Sequence, residues 1–328
     1  MKEVLIITFL IIGTIIGAGF ASGKEIFVFF NIYGEFGFLG IFISNIIIGA
    51  IIYKGLFFIK KNNIQNYQEF IDCMFGKRRF FNFVVKYIIN IFLIISFFVM
   101  CAGFSSYLEQ EYKLPIILGA SLIALLNIFI LSKGIKGIKV LNNILIPILI
   151  LLICMLGITK IRPAKIRVTD TSNTWLIKSV LYASYNTIML FPLLVTLNKY
   201  IKSKRQIKTI VGLVFLIFLT LSIIIFFLLN SSFDFIENLE MPMGFIASQY
   251  RYLFGVVILG AILTSVTSIC YSFLKNLKLN KNAYNIILIL ISIISIGFSF
   301  VGFGKLVEIL YPLLGFLGLI QLFFLFKA

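Results

Sequence analysis

The chain has 328 residues, of which 61% are hydrophobic and 12% charged. About 25% charge is usual in a soluble domain, so a soluble globular protein is excluded. The 29 Lys and Arg against 12 Asp and Glu give a formal charge of +17, and histidine is absent. That absence removes a Ser/His/Asp triad, a His-liganded zinc site and an imidazole proton shuttle together. Cys73, Cys101, Cys154 and Cys270 are widely spaced and mostly within apolar runs. They read as small hydrophobes, neither a CxxC metal site nor a disulfide framework.

A hydrocarbon core needs roughly 20 apolar residues per helix. Ten such runs are expected, near 4–32, 37–59, 81–107, 115–132, 140–159, 175–197, 209–230, 244–273, 283–302 and 306–326. The fold class is therefore an all-α polytopic membrane protein, with residues 1–328 forming a single transmembrane domain. Between runs, Ile64, Tyr67, Phe70, Ile71 and Met74 fall at helical spacing within 60–80. That segment and the acidic stretch 231–243 are expected as short interfacial helices.

The positive charge sorts by side. With the N-terminus inside, twenty of the 29 Lys and Arg fall on the inner side, eight fall outside, and Lys24 is left within the first span. The positive-inside rule then places both termini in the cytoplasm of a multi-pass protein. The lipid bilayer is the expected partner, and the charge gives no support to nucleic acid. The loop from Lys160 to Arg167 puts four positives on the outer side, as a tolerated exception or as a vestibule attracting anions. Lys2, the apolar run Val4–Ile16 and the small residues Ala18–Ser22 also imitate a signal peptide. The pattern resumes at Ile26–Phe30, and removing the first run would invert the topology, so it is read as a span.

Residues 13–25 read GTIIGAGFASGKE. Four glycines weaken any helix there by about 1 kcal/mol each. A continuous helix through the run would also overrun the membrane, so a break near the middle is expected. Freed backbone groups at a break must line a polar cavity or meet a ligand, and the amides opening the second half-helix suit a carboxylate. Gly17, Ala18, Gly19, Phe20, Ala21, Ser22 and Gly23 are thus the first candidate solute-binding residues. Lys24 and Glu25 are candidate ion-coupling residues, because charge inside a membrane is costly and usually functional. Two bland readings stand beside these: Lys24 and Glu25 reach the outer interface, and Gly13 and Gly17 form a GxxxG packing pair.

The run GTIIGAGFASGKEI resembles the first-helix signature of the YkvI family of bacterial membrane transporters, itself similar to the amino acid, polyamine and organocation superfamily. Weaker likenesses are Tyr182-Ala-Ser-Tyr-Asn186 and Tyr311-Pro-Leu-Leu-Gly-Phe-Leu-Gly318. The resemblance implies the LeuT-type fold, with two inverted five-helix repeats (about 1–160 and 170–328), broken helices one and six, and solute between them. An odd repeat length independently requires the second half to start on the opposite side. In span six, Ser184, Tyr185 and Asn186 are the counterpart solute-binding residues, with Pro192 disturbing the turn before it; alternatively they only bond neighbouring helices. By resemblance, hydroxyls among Thr264, Ser265, Thr267 and Ser268 join the carbonyls of Gly13 and Ile16 around a sodium ion. Proton coupling through Glu25 competes with that, as does simple bonding of each hydroxyl to its own helix. Ala102 and Gly103 would floor the cavity, and Ser105, Ser106 and Tyr107 would edge it.

The expected function is ion-coupled secondary transport of a small organic solute, an amino acid or related compound, across the bacterial cell membrane. No cofactor is expected beyond Na+ or H+ as coupling ion. The alternative is a solute-sensing subunit similar to germinant receptors, whose protein partner stays unidentified. An intramembrane enzyme is disfavoured, since Glu25 is the only acid well within a span.

Overall fold

The computed structural model describes residues 2–327 except 77, 78, 189, 238, 240 and 302, so Lys77 and Arg78 of the basic loop lie outside the described residues. All described regular elements are helices. The first run is divided into α1 (Lys2–Ile15), α2 (Ala18–Ala21) and α3 (Lys24–Phe29). There follow α4 (Glu35–Lys61), α5 (Tyr67–Phe75), α6 (Arg79–Tyr112), α7 (Ile116–Leu131) and α8 (Ile135–Lys160). The second half holds α9 (Trp175–Ile188), α10 (Phe191–Leu197), α11 (Lys204–Ser231), α12 (Phe233–Ile236), α13 (Pro242–Ile246), α14 (Arg251–Asn276), α15 (Lys281–Phe298) and α16 (Phe303–Lys327).

Among the described residues, six stretches are singly long and apolar enough to cross a membrane: α4, Phe83–Tyr112, α8, α11, Ser248–Asn276 and Lys281–Val301. A seventh is the pair Trp175–Thr187 and Phe191–Tyr200, bent by 45°. Three shorter apolar helices, Glu3–Ile15, α7 and Leu313–Lys327, stand where the first, fourth and tenth spans are expected. The outer surface is apolar, with Leu151 70% and Ile158 87% exposed, as a protein facing hydrocarbon requires.

Contacts between helix ends separate two faces. On the lysine-rich face, Lys54 Nζ donates to Phe326 O (2.8 Å), Lys60 Nζ to Ile201 O (2.7 Å) and Asn198 Nδ2 to Ile64 O (3.1 Å). On the opposite face, Tyr33 meets Thr174 (3.0 Å), Lys160 Nζ donates to Gln249 (2.8 Å), and Arg251 pairs with Glu111 (3.4 Å).

Both connecting segments have structure that their sequences dictate. Asn66 caps α5 by accepting from the Glu69 amide, and the Glu69 carboxylate returns to the Gln65 amide, a reciprocal capping arrangement. This helix buries Tyr67, Phe70, Ile71 and Met74, and Phe70 stacks on Phe191 at 5.0 Å. In the 231–243 segment, Phe233 of α12 packs on Phe27 of α3 at 5.1 Å and Met243 N donates to Ser22 O at 2.8 Å. Its described residues form a lid over the start of α3.

Candidate functional site

The first span is interrupted twice. α1 stops at Ile15, and Gly17 adopts φ −93°, ψ −166° before α2 begins. The carbonyls of Gly13 and Ile16, at the end of α1, turn toward α14. Ser265 Oγ donates to Gly13 O (3.0 Å) and Ile16 O (2.8 Å), while Thr264 Oγ1 lies 3.1 Å from Gly13 O and 2.7 Å from Ala261 O. All these residues are buried. Of the other two hydroxyls considered, Thr267 bonds the carbonyls of Leu263 and Thr264 in its own helix. Ser268 Oγ is buried with no partner.

The opposite side of this break is floored by α6. A Cβ on Gly17 would stand 2.5 Å from Met100 Cε, so only glycine lets Met100 approach. The Ala18 amide donates to Met100 Sδ at 3.3 Å. Gly103 packs on Ala18, where a Cβ would come within 2.8 Å of the alanine's. Nothing in the sequence singles out Met100, a thioether inside an apolar run.

The second interruption lies at Ser22 and Gly23, where Gly23 is left-handed (φ 81°). Ser22 Oγ donates to Gly19 O (3.1 Å) and accepts from the Lys24 amide (3.3 Å). The two charged residues that follow diverge. Lys24, 8% exposed, donates through Nζ to Leu239 O of the lid at 3.1 Å. Glu25, 1% exposed, folds back so that its carboxylate fills the place of a side chain on Gly19. The Tyr185 hydroxyl donates to Glu25 Oε2, and Phe29 lies 5.9 Å from the Tyr185 ring. Phe20 stacks on Phe218 of α11 at 4.9 Å, and Ala21 is buried beside it.

Span six bends after Thr187. Leu190 N bonds Thr187 O, and Pro192 occupies the first turn of α10, where its missing N–H costs no helical bond. Ser184, Tyr185 and Asn186 therefore sit in regular helix ahead of the break, not within it. Ser184 Oγ donates to Gly315 O (2.8 Å), and Gly318 packs against Ser184. That accounts for the glycines of the span-ten motif, whose Tyr311 and Pro312 side chains lie outside the described residues. Asn186 Nδ2 bonds Tyr182 O, while its Oδ1 is buried with no partner.

Two carbonyls freed by a helix break and two hydroxyls are the donor type that holds a monovalent cation in broken-helix transporters. Among the described residues no group of three or more His, Cys, Asp or Glu forms a metal site. On the lysine-rich face a cavity of about 730 Å³ is lined by Asn66, Pro192, Thr196, Tyr271 and Lys275 among others. None of residues 13–25 lines it.

These features define a polytopic membrane protein of the LeuT-type fold. Over 90% of this chain and 72% of theirs, the backbone matches a substrate-bound, outward-open Na+-coupled sialic acid symporter with a TM-score of 0.66 at 13% identity. It also matches MHP1, a nucleobase-cation-symport-1 family transporter closed around bromovinylhydantoin, with a TM-score of 0.63 at 11% identity over 89% of this chain and 70% of that one. In sequence, the chain is 28% identical over 332 residues to the uncharacterized membrane protein YkvI of Bacillus subtilis (strain 168), covering 95% of this chain and 92% of YkvI. It is 24% identical over 326 residues to the uncharacterized protein YyaD of the same strain, covering 94% and 92%. No protein-family model matches it.

Proposed function

We propose that this protein is a secondary transporter, not an enzyme, moving a small organic solute across a bacterial cell membrane by alternating access. Its coupling ion is Na+, held by Gly13, Ile16, Thr264 and Ser265. Its two inverted repeats are about 1–160 and 170–328, and its lysine-rich face, with both termini, is cytoplasmic. The observation that carries the reading is the junction at the first-span break. Carbonyls freed there meet hydroxyls of α14, and Tyr185, ahead of the span-six bend, reaches Glu25 just after the second interruption. Backbone freed at helix breaks inside a membrane supplies the polar groups that a solute needs.

The solute is an amino acid or related zwitterion. Its carboxylate meets backbone amides near Gly19 and its amino group meets Glu25. The reason is electrostatic: with the Glu25 side chain over Gly19, an anion alone would be repelled from those amides, whereas a zwitterion brings its own compensating charge. Asn186 Oδ1, buried without a donor, adds a second acceptor for the amino group. The test is uptake into vesicles containing only this protein, under an inward Na+ gradient, with a panel of amino acids. Accumulation above equilibrium that collapses with the gradient supports transport. Saturable binding without accumulation replaces it with the solute-sensing reading.

A further inference from the structure

Asn142 of α8 packs against Gly13, one of the residues of the proposed cation site. It is fully buried at 0% exposure. Its Nδ2 bonds Ile138 O one turn back at 3.0 Å, while its Oδ1 has no partner. That oxygen rests on the Cα of Gly13, where it would coincide with any side chain at that position. Gly13 is the residue whose carbonyl takes the hydroxyls of Thr264 and Ser265. Since a carbonyl oxygen is about 2.4 Å from its own Cα, covalent geometry puts Asn142 Oδ1 within roughly 6 Å of Gly13 O.

Buried Asn45 and Asn186 share its pattern, an amide nitrogen bonded one turn back and a bare oxygen, so it is the place of Asn142 against Gly13 that sets it apart. The other inward positions of α8 near it are Ile138, Ile146, Leu149 and Leu152, each able to fill space without burying an acceptor. A dry amide oxygen without a donor is disfavoured unless something positive reaches it. Here it stands within roughly 6 Å of Gly13 O, the carbonyl that takes two hydroxyls.

We propose that Asn142 belongs to the donor set of this cation site. The inference rests on the sodium reading above and extends it. It brings α8 into a site otherwise made by α1 and α14. It also makes the set two carbonyls, two hydroxyls and one amide, none formally charged. A neutral set of oxygens favours a monovalent cation, because divalent ions depend on carboxylate charge.

The experiment follows the thermal unfolding of purified full-length protein while NaCl replaces choline chloride at constant ionic strength, with CaCl2 as a separate arm. A ligand that binds the folded state raises apparent stability with concentration. Asn142→Leu, close in volume but without the oxygen, is expected to raise the sodium midpoint at least tenfold. Asn142→Asp is expected to lower it and to add a calcium response absent from the wild type. A wild type without sodium response overturns both the sodium reading and this inference. A responsive wild type with an Asn142→Leu midpoint unchanged overturns this inference alone. Should Asn142→Leu not be recovered folded, Asn142→Asp decides: unchanged sodium and calcium responses overturn the assignment.

Discussion

Ser265→Ala deletes one oxygen that touches two carbonyls, Gly13 O at 3.0 Å and Ile16 O at 2.8 Å. Gly13 O keeps the Thr264 hydroxyl at 3.1 Å, so the larger loss falls on Ile16. Depriving a buried acceptor of its donor costs about 1–3 kcal/mol in general, and hydrogen bonds between membrane helices average nearer 0.6 kcal/mol. A loss of roughly 1.4 kcal/mol lies between these and corresponds to tenfold in binding. The sodium concentration that half-saturates uptake, or half-stabilises the purified protein, is therefore expected to rise about tenfold. Thr267→Ala is the matched control, since that hydroxyl bonds only carbonyls of its own helix, at 2.9 and 3.1 Å. It should leave the sodium midpoint in place. Equal shifts in the two variants, or none in Ser265→Ala, would refute the assignment of the site to the first-span break.

Three further outcomes follow from named contacts. Gly23→Ala puts a side chain on a left-handed backbone (φ 81°) and 2.9 Å from Met243 Cγ. Strain of about 1–2 kcal/mol should lower the thermal midpoint and increase labelling of a cysteine introduced at Met243; unchanged labelling would show that Gly23 does not seat the lid. Glu25→Gln keeps an acceptor for Tyr185 but removes the charge; if Glu25 carries a proton in the cycle, solute uptake loses its pH dependence, and an unaltered pH profile assigns coupling elsewhere. Gly318→Ala would overlap the Ser184 side chain and backbone, so overpacking of about 1–3 kcal/mol should appear in thermal unfolding with sodium affinity preserved. An undiminished melting point would mean that α16 moves aside freely.

Much of this architecture is legible in the sequence because membranes impose simple periodicities. The four glycines of 13–25 mark the divided first span, since glycine alone tolerates both the Gly23 turn and the approach of Met100 to Gly17. The spacing from Ile64 to Met74 marks α5, whose buried face carries those residues. What the sequence leaves open is rotation about each helix axis. The four hydroxyls of 264–268 spread over about 160° of the α14 circumference at 100° per residue, and nothing in their order says that Thr264 and Ser265 face α1 while Thr267 turns back on its own helix. Asn142 is hidden for the same reason: it looks like its neighbour Asn143 until Gly13 is found against it. Pro192 marks the bend of span six: the break falls in the turn before it, between Thr187 and Phe191, and Pro192 itself opens α10, because proline fits the first helical turn without loss.

Lys24 and Glu25 are both buried yet find different partners. Adjacent residues on a helix diverge by about 100°. One rotation step therefore separates the lysine, bonded to Leu239 O of the lid, from the glutamate, bonded by Tyr185 of span six. Both sit at the start of α3, a helix of six residues. Lifting the lid must break or drag the Lys24 contact, and because α3 is too short to absorb that motion by bending, the load passes to the backbone that carries Glu25. The second interruption thus sets two contacts on one short element, one to the lid and one to span six, the kind of contiguous contact through which two places in a fold are coupled. The first interruption has a different task. It keeps the carbonyls of Gly13 and Ile16 pointed at α14, independent of what α3 does.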